Sequence, residues 1–67
     1  MENFSERLKE LRQEKGLSLR ELEKEVKISS SALSRWENGQ TEAKSSQLII
    51  LAKYFGVTLD YLLGLED

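Results

Sequence analysis

The chain has 67 residues, 39% of them hydrophobic, with 10 Lys/Arg against 12 Asp/Glu and a formal net charge of -2. That length makes one small domain near the lower limit for a self-sufficient core, with no cysteine for disulfide staples. Without histidine or cysteine a zinc site would need carboxylates alone, so neither a metal nor a cofactor is expected. No apolar run approaches the roughly 18 residues of a membrane span and no signal-peptide pattern is present. The chain is therefore expected to be cytoplasmic, with no membrane partner.

Met1 and Glu2 are expected to fray. Asn3 and Glu6 have the spacing of a capping box for a first helix running to about Lys15, with Phe4, Leu8 and Leu11 on its buried stripe. Gly16 supplies the left-handed residue that ends it. From Leu17 to Gly39, the run LSLRELEKEVKISSSALSRWENG reads as two short helices joined by a tight turn. Ser18 and Glu21 form a capping-box pair, with Leu17 and Leu22 at the hydrophobic-staple positions around it. Ser29 caps the next helix, with Ile28 and Leu33 as its staple. Leu22 and Val26 give the first of these helices an apolar face; Leu33 and Trp36, with Ala32 beside them, give the second.

Asn38-Gly39 ends that helix, and Gln40 to Lys44 is a polar loop. A fourth helix is expected from Ser45 or Ser46 to Tyr54, burying Leu48, Leu51, Ala52 and Phe55, with Gly56 closing it. Thr58 then caps a short fifth helix, for which Val57 and Leu62 repeat the staple. Asp60 in its first turn suits the positive end of the helix dipole. Leu59, Tyr61, Leu63 and Leu65 crowd this segment with more apolar groups than one face of a two-turn helix can bury. They either fold back on the first helix, are covered by further sequence, or form a self-associating patch.

Opposite the buried face of the second hairpin helix, Ser30, Ser31, Ser34 and Arg35 share one side by their three- and four-residue spacings. Such a face is either simply solvated or fitted to base edges in a major groove. There Arg pairs two-pronged with guanine, and Ser donates or accepts. Charge runs against the second reading, since a nucleic-acid binder is expected to be basic. Residues 1–39 carry eight Lys/Arg and eight Asp/Glu, and residues 40–67 carry two and four, so no positive stripe emerges. Binding would rest on a few placed cations, with modest non-specific affinity and a shallow salt slope.

The hairpin resembles the helix-turn-helix of the lambda-repressor and Cro-like (XRE-type) family of DNA-binding proteins. RLKELRQEKGLS before it, SRWENG within it and LAKYFGVTLDYLLG after it match the family's usual run, together covering roughly Phe4 to Gly64. The resemblance implies an all-α fold of five short helices, residues 1–67 forming a single domain with the helix-turn-helix at about 18–37. It implies a partly buried Arg12–Glu37 pair tying the first helix to the end of the recognition helix. It further implies base contacts from Ser30, Ser31, Ser34 and Arg35, and phosphate contacts from Ser18, Ser29, Lys27, Asn38, Gln40 and Lys44. The first-turn N–H groups of the recognition helix would face a phosphate together with Ser29. Leu59, Tyr61, Leu63 and Leu65 fall where family members pair two subunits.

Two residues depart from the family pattern. Glu23 stands where a small residue is usual, and Lys27 stands in the turn where glycine is usual. Their four-residue spacing with the acid first suits a compensating ion pair. The polar loop offers Lys44 beside Glu42 where relatives often place several cations.

The function expected is a sequence-specific double-stranded DNA-binding regulator, a repressor that binds a palindromic operator as a homodimer, with no small-molecule ligand in this domain. The alternative is a protein-interaction module, antitoxin or anti-regulator in type, on the same fold. An enzyme is not expected, since no nucleophile–base set or glycine-rich phosphate loop is present and so small a fold leaves no evident room for a cleft. The chain ends just past the family's usual boundary, as either a complete small regulator or the N-terminal part of a longer one would.

Overall fold

A computed structural model describes residues 3–66, and in them the chain is all-helical: α1 (Asn3–Glu14), α2 (Leu19–Val26), α3 (Ser30–Glu37), α4 (Ser45–Phe55) and α5 (Leu59–Leu62). Met1 and Glu2 lie outside the described residues, as does the side chain needed for the expected Asn3–Glu6 capping box. The all-α, five-helix expectation holds, with boundaries within a residue or two of those read from the sequence. The fifth helix is shorter than expected, a single turn of four residues.

Each helix contributes side chains to one core: Leu8 from α1, Leu22 and Val26 from α2, Leu33 and Trp36 from α3, Leu51 and Ala52 from α4, and Leu62 from α5. Ile28, in the turn between α2 and α3, is also buried. Phe4, Leu11, Leu17, Ala32, Leu48, Phe55 and Val57 pack around this cluster half-buried. Phe4 meets the Trp36 ring at 6.3 Å between centroids, with the two planes tilted by 49°. α3 is held from behind by both α1 and α2, while α4 and α5 close the other side. This arrangement leaves the outer face of α3 uncovered within the described residues.

The helix ends follow a shared rule with one exception. Gly16, Gly39, Gly56 and Gly64 all take positive φ after α1, α3, α4 and α5. After α3, the N–H of Gln40 donates to the Arg35 carbonyl at 2.9 Å and that of Gly39 to the Trp36 carbonyl at 3.1 Å, the paired closure of a Schellman motif. α2 ends instead on Lys27 at φ 62°, the one non-glycine residue with positive φ among those described. No helix among the described residues is long and apolar enough to cross a membrane.

Candidate nucleic-acid interface

The α2–turn–α3 unit begins with a complete capping box. The Glu21 N–H donates to Ser18 Oγ at 3.1 Å, and the Ser18 N–H donates to Glu21 Oε1 at 2.8 Å. That backbone donor holds the Glu21 carboxyl below the usual carboxylate range. The turn is three residues long, Lys27 to Ser29. Its middle residue, Ile28, is buried and so fixes the path between the helices. At the start of α3, Ser29 Oγ accepts from the Ala32 N–H at 3.1 Å. Leu33 and Trp36 then point into the core. Ser31 and Arg35 stand exposed on the opposite side, with Ser30 and Ser34 half-buried beside them. No carboxylate is among these four side chains. The Asn38 amide approaches Ser34 Oγ at 3.5 Å, extending the polar strip beyond the helix end.

Glu23 and Lys27 do not form the ion pair that their spacing suggests. Glu23 Oε1 instead accepts the Ser30 N–H at 2.9 Å, across the turn. The physical reason is the backbone of Lys27. In the left-handed conformation its side chain leaves the α2 face on which residue 23 lies, so four-residue helical geometry no longer applies. The main chain of Glu23 is engaged as well, its carbonyl accepting the Lys27 N–H at 2.8 Å. Two of the first three N–H groups of α3 thus already have intramolecular acceptors. These groups, with Ser29, are the ones expected to face a phosphate, and among them Ser30 is already held by the Glu23 carboxylate. A half-buried carboxylate in α2 was readable in the sequence only as a departure; the acceptor role needed the turn geometry.

Behind α3 the structure brings Arg12 and Glu37 together. Arg12 Nε donates to Glu37 Oε2 at 2.7 Å and Nη2 donates to Oε1 at 2.9 Å, a two-pronged pair. Nη1 donates to the Leu17 carbonyl at 2.8 Å. The side chains are 13% and 5% exposed, respectively. The Glu37 hydrogen bonds raise the Arg12 pKa above its ordinary value. This one guanidinium joins the end of α1, the approach to α2 and the end of α3, and so sets where the strip of Ser30, Ser31, Ser34 and Arg35 points.

The other singled-out polar residues are all exposed: Ser18 and Ser29 at helix starts, Lys27 in the turn, Asn38 and Gln40 after α3, and Lys44 before α4. The Ser18 and Ser29 oxygens accept from backbone, which leaves each hydroxyl hydrogen free to donate outward. Lys44 opens α4, where its N–H donates to Gln47 Oε1 at 2.8 Å.

The apolar segment at the C-terminus divides. Leu62 is fully buried, while Leu59 is 38% and Leu65 is 73% exposed. Tyr61 is half-buried under the Arg7 guanidinium, 4.1 Å from its ring centre. Leu63 turns inward to a cavity of about 350 Å³ that it shares with Phe4, Gly39, Thr41, Ala43 and Leu48. The fold therefore does have room for a cleft. Glu42 is the single titratable side chain lining it, so it brings together no acid–base pair. Ile49 and Ile50, exposed at 41% and 42% on α4, were not singled out by the sequence reading. They sit beside the apolar face of α4 in sequence, and period alone does not tell which positions are left uncovered.

Known proteins match along almost the whole chain. It is 36% identical over 64 residues to the HTH-type transcriptional activator BcrR of Enterococcus faecalis, covering 96% of this chain and 31% of that one. It is 44% identical over 62 residues to the HTH-type transcriptional regulator DdrOP3 of Deinococcus deserti, covering 91% and 48%. With the HTH-type transcriptional regulator ImmR of Bacillus subtilis it shares 31% over 65 residues, covering 97% and 51%. The chain thus spans between about a third and half of the length of these relatives. Residues 8–62 match the model of the helix-turn-helix family, and with its α2–α3 hairpin the chain belongs to that family, in its XRE or lambda-repressor-like branch of DNA-binding regulators.

Proposed function

We propose that the chain acts as a sequence-specific transcriptional repressor, binding a palindromic operator as a homodimer with α3 in the major groove. The observation that carries this reading is the outer face of α3. It presents three hydroxyls and one guanidinium, without an acid or a large apolar group, on a helix whose other side is locked by Leu33, Trp36 and the Arg12–Glu37 pair. Ser30, Ser31 and Arg35 read base edges, with Ser34 at the margin, and Arg35 pairs with guanine. Ser18, Ser29, Lys27, Asn38, Gln40 and Lys44 hold the sugar–phosphate backbone.

Repression needs nothing beyond occupancy of the operator, which a domain of this size supplies by covering a half-site. Two copies related by a two-fold axis address half-sites about 34–36 Å apart. Cα extents of 28 × 24 × 21 Å fit one copy to each. Leu59 and Leu65 are the exposed members of the set through which the copies meet, with Tyr61 and Leu63 behind them. The site of action is the cytoplasm.

The test is selection of bound sequences from a random duplex pool at near-physiological salt. The expected result is a palindrome with half-sites one helical turn apart. A guanine at a fixed place in each half should lose its preference in Arg35→Ala, at a cost of about 1–3 kcal/mol of affinity. A folded protein that enriches no motif would sink the proposal and direct the search to a protein partner.

A further inference from the structure

The start of α3 carries a feature that the DNA-binding reading does not use. The first three N–H groups of a helix lack intrahelical partners and together attract anions. In α3 these belong to Ser30, Ser31 and Ala32; the next, that of Leu33, already donates to the Ser29 carbonyl at 3.0 Å. Ala32 donates to the neutral Ser29 hydroxyl, and Ser30 donates to the Glu23 carboxylate. Among the described residues, the Ser31 N–H is the one of the three without a protein acceptor. A full negative charge therefore sits at the positive end of α3, in a part-buried contact where solvent screens it less than it would an exposed acid. Lys27, four residues on, does not neutralise it, because its left-handed backbone carries its side chain off the α2 face.

We propose that Glu23 is a specificity-determining positioning residue, which fixes the start of α3 through Ser30 and, by its charge, weakens the hold of that helix end, Ser29 included, on DNA phosphates. The inference rests on the reading that α3 enters the major groove. A helix end that clamps a phosphate binds any duplex, because phosphates carry no sequence. With a carboxylate already there, a phosphate brought to the same end meets a like charge. Affinity for random DNA falls, while the base-reading side chains Ser31 and Arg35, further along the helix, are untouched. The ratio of specific to non-specific binding rises. The bond from Ser30 also ties the first residue of α3 to α2, in a turn that lacks the usual glycine.

Glu23→Gln tests this directly. The amide oxygen keeps an acceptor for Ser30, and only the charge is removed. Glu25→Gln is the control: it removes the same charge from an exposed position on α2, away from the start of α3. Wild type and both variants are titrated with a fluorescently labelled mixed-sequence duplex between about 50 and 200 mM salt. Glu23→Gln should bind about three- to tenfold more tightly than wild type at the low-salt end, with a steeper salt slope by up to about one unit. Glu25→Gln should stay within about twofold of wild type. Equal thermal melts of wild type and Glu23→Gln establish that the fold is unchanged, and a purely structural role for Glu23 would not move the salt slope.

Duplex binding seen only in Glu23→Gln would support the proposal in its strongest form. Measurable binding by wild type that is the same in Glu23→Gln overturns it and leaves the DNA-binding reading standing. An equal gain in both variants overturns it too, by reducing the effect to net charge. If no variant binds any duplex and the sequence selection also comes back empty, the DNA-binding reading fails and this inference with it.

Discussion

Arg12 occupies a position from which the cost of its removal follows step by step. Arg12→Met keeps most of the aliphatic stem but takes away three hydrogen bonds, two to Glu37 and one to the Leu17 carbonyl. The Glu37 carboxylate, 5% exposed, is then left without its donors in a place water barely reaches. Breaking one partner of such a pair costs about 3–5 kcal/mol. A chain of this length has a total stability of about 3–10 kcal/mol, so the loss removes from about a third to all of it. In thermal terms the loss is at least about 12 °C. Glu37→Leu should cost less, about 1–3 kcal/mol, because the Arg12 head, 13% exposed, keeps its bond to Leu17 and reaches water along its flexible stem. The double variant Arg12→Met/Glu37→Leu should be more stable than Arg12→Met alone, since the stranded charge is gone. Urea unfolding followed by the fluorescence of the one tryptophan, Trp36, measures all four proteins. A loss below about 1 kcal/mol for Arg12→Met, with additive behaviour in the double variant, would refute the argument and make the pair a solvated one.

Trp36→Ala empties a core site that is 4% exposed and should cost about 3–5 kcal/mol, read by far-ultraviolet circular dichroism since the fluorophore is lost; a stable, folded variant would remove Trp36 from the core. Lys27→Gly relieves a left-handed backbone and should raise stability by a few tenths to about 1 kcal/mol in urea unfolding, against the extra freedom glycine has when unfolded. The same change should weaken duplex binding and lower its salt slope by about one unit if Lys27 meets a phosphate. Glu21 should make stability depend on pH in acid. Its native pKa is lowered, so its contribution is fully present above the ordinary value of about 4.5 and is lost as pH falls through the native one. Urea midpoints of wild type and Glu21→Gln should therefore converge as the solution is acidified; a constant gap would show that the Ser18 capping box does not discriminate charge.

Most of this architecture is written in short-range signals. Ser18, Ser29 and Thr58 each precede a helix by one residue and accept a backbone N–H from it, as their spacing to the apolar stripe leads one to expect. Leu22, Leu33 and Leu62, at the staple positions, are fully buried. The residues whose partners no periodicity gives have roles fixed by tertiary geometry. Glu23 looks toward Lys27 on a helical wheel, yet it finds Ser30 because one left-handed residue turns the chain between them. Arg12 and Glu37 are 25 residues apart, and no periodicity links them; only the family resemblance brought them together before the structure did. Tyr61 and Leu63 belong to one apolar run in the sequence. In space one lies under Arg7 and the other lines a cavity, a division that depends on how α5 docks on α1.

The acidic balance, which argues against a DNA-binding reading, loses force once the carboxylates are located. Glu6 and Asp60 sit in the first turns of α1 and α5, Glu21 closes the capping box of α2, Glu23 holds the first residue of α3, and Glu37 is bound by Arg12. Five of the twelve acids thus serve helix starts or an internal pair. The fields of Glu6, Asp60, Glu21 and Glu37 are largely answered there by backbone dipoles or a guanidinium, while the charge of Glu23 lies at the start of α3, away from the base-reading side chains further along the helix. The strip formed by exposed Ser31, Arg35, Asn38 and Gln40, with half-buried Ser34, holds none. Net charge describes the attraction felt at a distance, which salt largely screens beyond about 10 Å at 0.1 M; the chemistry within a groove is decided by the few groups that touch it. A protein arranged in this way should find DNA slowly and hold random sequence weakly, and should discriminate chiefly through contacts at the bases. That combination, rather than strong binding at low salt, is the behaviour by which the proposed function should be judged.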